Sequence, residues 1–287
     1  GGEAERLTDL DGAISGLAWS PDGKKISFAY RATDPPETGH RPGSAPAKKA
    51  AEAKAEKKDP KPPTFLHLTR LHYKEDGQGF LPKSRFHVHV LDIATREALA
   101  LTRGDWDPGA PVWSPDGKWL AFAANRLPDA DYHNTVMDIW LIPPTGGEPR
   151  NVTPEPGMAL APAWSPDGSE IAYLGNTDEN DAWGVKNFHV WAVSPRGGPA
   201  RDLVPEFDRS ALDLMGTDLR DMHDAGPPVW SPDGATIYFV ASDQGSTHLY
   251  AVSAKGGTPR RVTSGPIALF AVQGSRCSKD LAIVRCE

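Results

Sequence analysis

WSPDG stands at residues 19–23, 113–117, 164–168 and 230–234. A pentapeptide written four times marks a repeated structural unit, and that unit decides the fold before any other signal is weighed. Its letters are turn chemistry: Pro presets φ at the first central position, Asp hydrogen-bonds its own backbone, and Gly accepts the left-handed conformation that closes a hairpin. After each turn, apolar residues recur two apart, at Ile26 and Phe28, Leu120 and Phe122, Ile171 and Tyr173, and Ile237 and Phe239. That is the period of a half-buried strand. A second apolar strand follows in each unit, as FHVHVLDI, MDIWLIPP, FHVWAVSP and THLYAVSA, and then a turn such as TGGEPRNVT, RGGPARDLV or KGGTPRRVT. Each unit therefore holds four strands.

Trp113 and Trp164 are 51 residues apart, near the length of a four-stranded β-propeller blade. The unit headed by Trp19 runs 94 residues, and its excess coincides with RATDPPETGHRPGSAPAKKAAEAKAEKKDPKPP. The unit headed by Trp164 runs 66, and its excess falls on EFDRSALDLMGTDLRDM. Blades tolerate such insertions because loops reach solvent while the stack stays intact. No amphipathic helical pattern alternates with the strands, which argues against a parallel α/β sheet. The sequence predicts an all-β chain, a β-propeller of four-stranded blades with about four complete blades and partial blades at both ends. Residues 1–287 would form a single propeller domain or part of one, with a flexible polar insertion at about 31–64.

The ends carry their own pattern. GGEAERLT at 1–8 matches GGEPRNVT at 146–153, the last strand of a blade, while ALFAVQGSRCSKDLAIV at 268–284 reads as a first strand, a degraded hairpin and a second strand. An unclosed propeller leaves unpaired backbone at both edges. Two readings stand: a portion of a larger protein, or a small five-bladed ring in which the N-terminal strand joins the C-terminal hairpin.

Composition narrows the function classes. A net charge of −7 without a basic stripe argues against nucleic acid as a partner. No apolar run reaches the ~18–20 residues needed to cross a bilayer, so no membrane partner is expected either. Two cysteines, Cys277 and Cys286, cannot build a disulfide framework, which favours a reducing compartment and a cytoplasmic location. Cys277 falls in a hairpin tip and Cys286 beyond the next strand, too far apart to bond at a rise of about 3.3 Å per residue. Free thiols are expected.

Repeated WSPDG blades, together with RLHYKEDGQGFLPKSRFHVHVLDI at 70–93 and GPPVWSPDGATIYFVASDQGSTHLYAVSAKGGTPRRVTSG at 226–265, resemble the propellers of TolB and of the prolyl oligopeptidase family of serine peptidases, in its acylaminoacyl-peptidase branch. The resemblance implies a noncatalytic propeller that gates and orients peptide substrates for an α/β-hydrolase domain of the same parent protein. It implies a serine nucleophile too, and that nucleophile needs Gly-x-Ser-x-Gly. No serine here has a glycine two positions before it, so the catalytic domain lies outside this chain and no catalytic residue is carried over. The alternative is a TolB-like propeller acting as a protein-binding module. An enzyme with its site in the propeller channel ranks below both, for want of a converging carboxylate or histidine cluster.

Individual residues have plain readings. His87 and His89 share one strand face as zinc ligands can. Blade alignment, however, sets His87 with Asp138, His189 and His248, a repeated polar strand start, and His89 with Trp140, Trp191 and Tyr250, a packing column. No metal and no cofactor is expected. The four turn-heading tryptophans read as wedges between neighbouring sheets rather than a ligand platform. The AKKAAEAKAEKKDPK run alternates Lys with Glu between prolines and reads as a solvated loop. Asp76 and Arg85, inside the family-like stretch, are the candidates for a substrate-chamber or inter-domain role; turn and surface ion-pair readings compete with it. Oligomeric state stays open, a homo-oligomer included.

Overall fold

The computed structural model describes residues 3–34, 67–76, 79–154, 156–180, 186–214, 226–274 and 280–286. Most of the polar insertion, and Cys277, lie outside the described residues. The chain is all-β, with one short 3-10 turn at Ala130–Tyr132. Among the described residues no helix is long and apolar enough to cross a membrane.

The strands run β1 (Gly12–Trp19), β2 (Lys25–Ala32), a small separate hairpin of β3 (Lys74–Glu75) and β4 (Gly79–Phe80), then β5 (His87–Asp92) and β6 (Ala98–Ala100). They continue with β7 (Val112–Trp113), β8 (Leu120–Ala124), β9 (Asp138–Ile142), β10 (Arg150–Asn151), β11 (Met158–Trp164), β12 (Ile171–Asn176), β13 (His189–Val193) and β14 (Arg201–Asp202). The last are β15 (Val229–Trp230), β16 (Thr236–Asp243), β17 (Ser246–Ser253), β18 (Arg260–Arg261), β19 (Ala268–Gly274) and β20 (Leu281–Cys286). Four antiparallel meanders result, β1-β2-β5-β6, β7 to β10, β11 to β14 and β15 to β18, followed by the two-stranded sheet β19-β20. These are four complete propeller blades and a partial one. The strand expected over 1–8 is not seen among its described residues: residues 3–11 belong to no sheet, and β20 has no third strand beside it. Closure by pairing those two ends is therefore absent among the described residues.

The pentapeptide explains itself letter by letter. In the turn, the Ser hydroxyl donates to the Asp carboxylate at 2.5–2.7 Å and accepts the N–H five residues on at 2.9–3.0 Å. The same carboxylate accepts the N–H two residues beyond it. The Gly N–H closes the turn on the Ser carbonyl at 2.9 Å in all four copies. Each Gly sits at φ between +69° and +71°, where a side chain is strained. The remaining two letters work between blades. Trp113 Nε1 donates to the Ala18 carbonyl, Trp164 to Val112 and Trp230 to Ala163, at 3.1, 3.3 and 3.1 Å. In each case the acceptor is the residue just before the preceding blade's own Trp. Each Pro, in turn, lies against the Gly of the next turn: a Cβ built on Gly117, Gly168 or Gly234 would stand 3.6–3.8 Å from Pro21, Pro115 or Pro166.

Both faces of the middle strands are buried, which is why they read as near-continuous apolar runs. Leu120, Phe122 and Ala124 of β8 pack with Val88 and Val90 of the first blade, while Ala121 and Ala123 pack with Ile171 and Tyr173 of the third. A third cluster joins Leu174 and Val190 to Ile237 and Phe239. The turn-heading tryptophans Trp113 and Trp230 lie inside these inter-blade layers, as the wedge reading requires. Gly274 occupies the Trp position of the partial blade, with Val229 too close to admit even a Cβ.

In a meander the links between first and second strands all emerge at one end of the blade. The WSPDG turns therefore share one face of the disc, and the links between second and third strands, with the blade-to-blade crossings, share the other. Both long insertions fall on that second face. Replacing Gly117 by Ala should destabilise the chain by about 1–2 kcal/mol, the strain of a left-handed alanine, because the site has room for the methyl but not the right φ. Gly226→Ala, at ordinary φ in open space, should stay within about 0.5 kcal/mol; urea unfolding of both variants checks the contrast.

Candidate functional site

The loop-bearing face gathers most of the chain's side-chain chemistry in two places. Over the first two blades, Arg85 leads into β5 with its side chain 12% exposed, and its Nε and Nη1 bond Asp105 at 2.7 Å and Asp107 at 2.8 Å. Asp107 also accepts the Phe86 N–H at 2.7 Å. Arg70 bridges the other oxygen-rich side of the cluster, reaching Asp105 at 3.1 Å and forming a two-pronged pair with Asp131. Asp131 takes the Leu71 and His72 N–H groups as well, and Asp34 takes those of Lys83 and Ser84 at 2.7 and 2.8 Å. Four carboxylates, Asp34, Asp105, Asp107 and Asp131, thus pin the segment around β3 and β4 and its exit onto the blades. The hydrogen bonds from Arg70 hold Asp131 below the usual carboxylate range. Burial pushes Asp107 above it, against the pull of the Phe86 N–H. Asp76 sits exposed in the turn after β3, and Arg85 is at the foot of the segment. Of the two sequence candidates, only Arg85 is drawn into the cluster.

Beside the cluster lies a second signal. Arg85 Nη2, His87 Nδ1 and Arg126 Nε are buried without a hydrogen-bond partner among the described residues. All three border the loop at 105–107: the Arg126 guanidinium stands 5.0 Å from the Trp106 ring, and His87 meets that ring edge-on at 6.2 Å. Unsatisfied buried polar atoms are uncommon and mark either a partner from elsewhere or ordered water.

The second place is a cavity of about 770 Å³ over the third blade, within the size range of ligand pockets. Its wall includes Asp178, Asn187, His189, Trp191, Asp202 and Phe207. His189 Nδ1 and Asp202 Oδ2 are 2.7 Å apart, and this bond raises the imidazole above its ordinary pKa. Trp191 stacks on Tyr173 and commits its indole N–H to the Gly175 carbonyl, so it offers the cavity only a ring face. The lining contains no serine or cysteine among the described residues. The His–Asp pair forms a polar wall of the cavity, which Thr177 and Lys186 also line.

The histidine columns resolve as packing and strand-start positions. Asp138 and His189 each bond a fourth-strand side chain, Asn151 and Asp202, and His248 bonds Thr263 just past β18. Burial lifts Asp138 to a pKa of about 6. In the second column, Trp140 and Trp191 donate to carbonyls of the neighbouring strand, and His89 stacks on Phe28. Among the described residues no three His, Cys, Asp or Glu side chains are grouped as a metal site.

The Bacillus subtilis peptidase YuxL is 29% identical over 256 residues, covering 89% of this chain and 36% of that protein. Dipeptidyl-peptidase 5 of Porphyromonas gingivalis is 28% identical over 155 residues, 53% of this chain and 20% of its own length. These sequence relatives are peptidases. No family model matches the chain. Among solved structures, Pyrococcus horikoshii acylaminoacyl peptidase superposes with a TM-score of 0.62 at 14% identity, over 98% of this chain and 36% of that one. A protein described as a putative TolB from Agrobacterium tumefaciens gives 0.57 at 18%, over 96% and 71%. The chain thus resembles peptidase and TolB propellers in fold, and it spans about a third or less of the length of the peptidases it matches.

Two titrations should be visible in stability. A raised His189 contributes fully below its unfolded pKa of about 6.5, and its contribution is lost as pH rises through the higher folded value. A raised Asp138 favours the neutral acid, so folding is progressively disfavoured as pH climbs from about 4 towards 6. His189→Gln should flatten the stability profile above pH 6.5 and Asp138→Asn the one below pH 6; urea midpoints at closely spaced pH values check each slope.

Proposed function

We propose that this propeller gates and orients peptides for an α/β-hydrolase domain that the same polypeptide carries outside these residues, in a serine peptidase resembling acylaminoacyl peptidase and dipeptidyl-peptidase 5. The observation that carries this reading is the similarity to the YuxL peptidase along 89% of the chain. The chemistry of the chain is consistent with it: no Gly-x-Ser-x-Gly occurs, and no serine or cysteine is among the described residues that line the cavity beside the His189–Asp202 pair. Acyl transfer from peptide to serine, and then to water, would therefore be the work of the other domain. The propeller's part is mechanical and electrostatic. A stiff disc admits chains by size, and its loop-bearing face supplies unsatisfied guanidinium donors at Arg85 and Arg126, beside the unpartnered His87 Nδ1, for acceptor oxygens of a peptide or of the adjoining domain. Arg85 is the positioning residue in this scheme, since it sets the loop at 105–107 through two carboxylates.

The test compares this chain with the whole gene product on a chromogenic acyl-amino-acid substrate and on peptides of increasing length. The chain alone should show no turnover, while the whole product should be labelled by a serine-directed fluorophosphonate and should cleave short peptides but not folded proteins. Arg85→Ala in the whole product should raise KM for peptides several-fold while leaving kcat on a small ester nearly unchanged. Turnover by the chain alone, or a whole product that resists the fluorophosphonate, contradicts the reading. In the latter case specific capture of a protein partner on the disc would favour the TolB-like binding module instead.

A further inference from the structure

The outer strand of each complete blade ends its sheet at the rim of the disc, and three of the four guard that edge with charge. Opposite His89, Trp140, Trp191 and Tyr250 stand Ala100, Asn151, Asp202 and Arg261, and one step before these come Leu99 of β6, Arg150 of β10, Arg201 of β14 and Arg260 of β18. Charge on a free edge discourages a further strand from pairing with it. The first blade lacks that guard. Ala98, Leu99 and Ala100 are all exposed, Leu99 at 49%. The Asp92 N–H bonds the Glu97 carbonyl at 3.0 Å and the Leu101 N–H bonds the Val88 carbonyl at 2.7 Å. Alternation along an antiparallel strand therefore turns the N–H and C=O of Ala98 and Ala100 away from β5 and out to the rim. They meet no backbone partner among the described residues. An uncharged edge with outward main-chain groups is a template for another strand.

We propose that β6 pairs with β6 of a second copy of this chain, antiparallel about a twofold axis through Leu99, so that the sheet of one copy continues into that of the other. In this register Ala98 and the partner's Ala100 exchange both main-chain bonds, and the axis repeats the exchange. Leu99 meets the partner's Leu99 in the closer, non-hydrogen-bonded kind of pair. Charge fits the same register. Glu97 lies opposite the partner's Leu101 and has the partner's Arg103 diagonally across on the same side of the sheet, within reach of long side chains; Glu97 and Arg103 are both exposed. Sliding the pair until the axis falls on Glu97 would instead set two carboxylates opposite one another, which is unfavourable. An unrelated strand has no reason to carry both halves of this match, whereas a second copy supplies them by symmetry. The inference does not rest on the peptidase reading, since a binding module would present the same rim.

A few main-chain bonds and one leucine pair make a small contact, so the pairing should reverse on dilution. Sedimentation of the whole gene product over a range of micromolar concentrations should show a reversible association step. Leu99→Arg, which writes on this rim the residue of the other three, should abolish that step and leave the Tm nearly unchanged, since the side chain is exposed. Glu97→Arg and Arg103→Glu should each weaken the step several-fold by setting like charges together, and the two combined should restore it. An unmodified product that never associates overturns the proposal. Association that survives Leu99→Arg overturns it too, by assigning the contact to another surface, as does a double variant that binds no more tightly than the singles.

Discussion

An indole N–H handed, at three blade junctions, to the carbonyl before the previous blade's tryptophan is the contact on which the rest of this molecule depends. The bond fixes both the distance between neighbouring sheets and their relative height, because donor and acceptor occupy the same register in every copy. A hydrogen bond of this kind contributes only about 1 kcal/mol. Its larger effect is to hold the apolar faces in register, so that Phe122, Tyr173 and Phe239 fall into the layers between sheets. The proline of one turn against the glycine of the next repeats the constraint at the rim. Two of the five letters thus join blades and the other three close the turn.

With the turns all committed to one face, chemical variety is confined to the other. Loops there can lengthen without disturbing the ladder, and it is there that Arg70 and Arg85 meet Asp105, Asp107 and Asp131, and that the cavity with His189 and Asp202 opens. The first cluster ties a long insertion down through backbone N–H groups as well as guanidinium pairs. Bonds to fixed N–H groups cost less side-chain entropy than exposed pairs between two long side chains, so this anchoring is sturdier than a count of surface ion pairs suggests. A rigid disc with one variable face is the form a substrate-screening or partner-holding module takes, and the fold by itself does not separate the two.

The blades were legible because turn chemistry and strand period are local and repeat. The histidine columns were legible for the same reason: aligning copies places His189 with Asp138 and His248, and the shared spacing of 13 residues to Asp202 and Asn151 is a hairpin register that could have announced those two pairs. The network around Arg85 was not legible. Its partners lie 20 and 22 residues away, across β5 and β6, and Arg70, inside the insertion that breaks the repeat, reaches Asp131 across 61. The different fate of Trp19, which is 59% exposed, was hidden too, because identical letters cannot reveal which copy lacks a neighbour. The match of GGEAERLT to a fourth strand records sequence similarity, whereas pairing needs an adjacent edge, and residues 3–11 belong to no sheet.

The ladder itself is tested most directly by indole hydrogen exchange in the 287-residue chain, followed by NMR after transfer to D2O. The Nε1–H signals of Trp113, Trp164 and Trp230 should persist long after that of Trp19 has vanished. If those three exchange as fast as Trp19, the indole-to-carbonyl junctions do not hold the blades together and the account fails at its base.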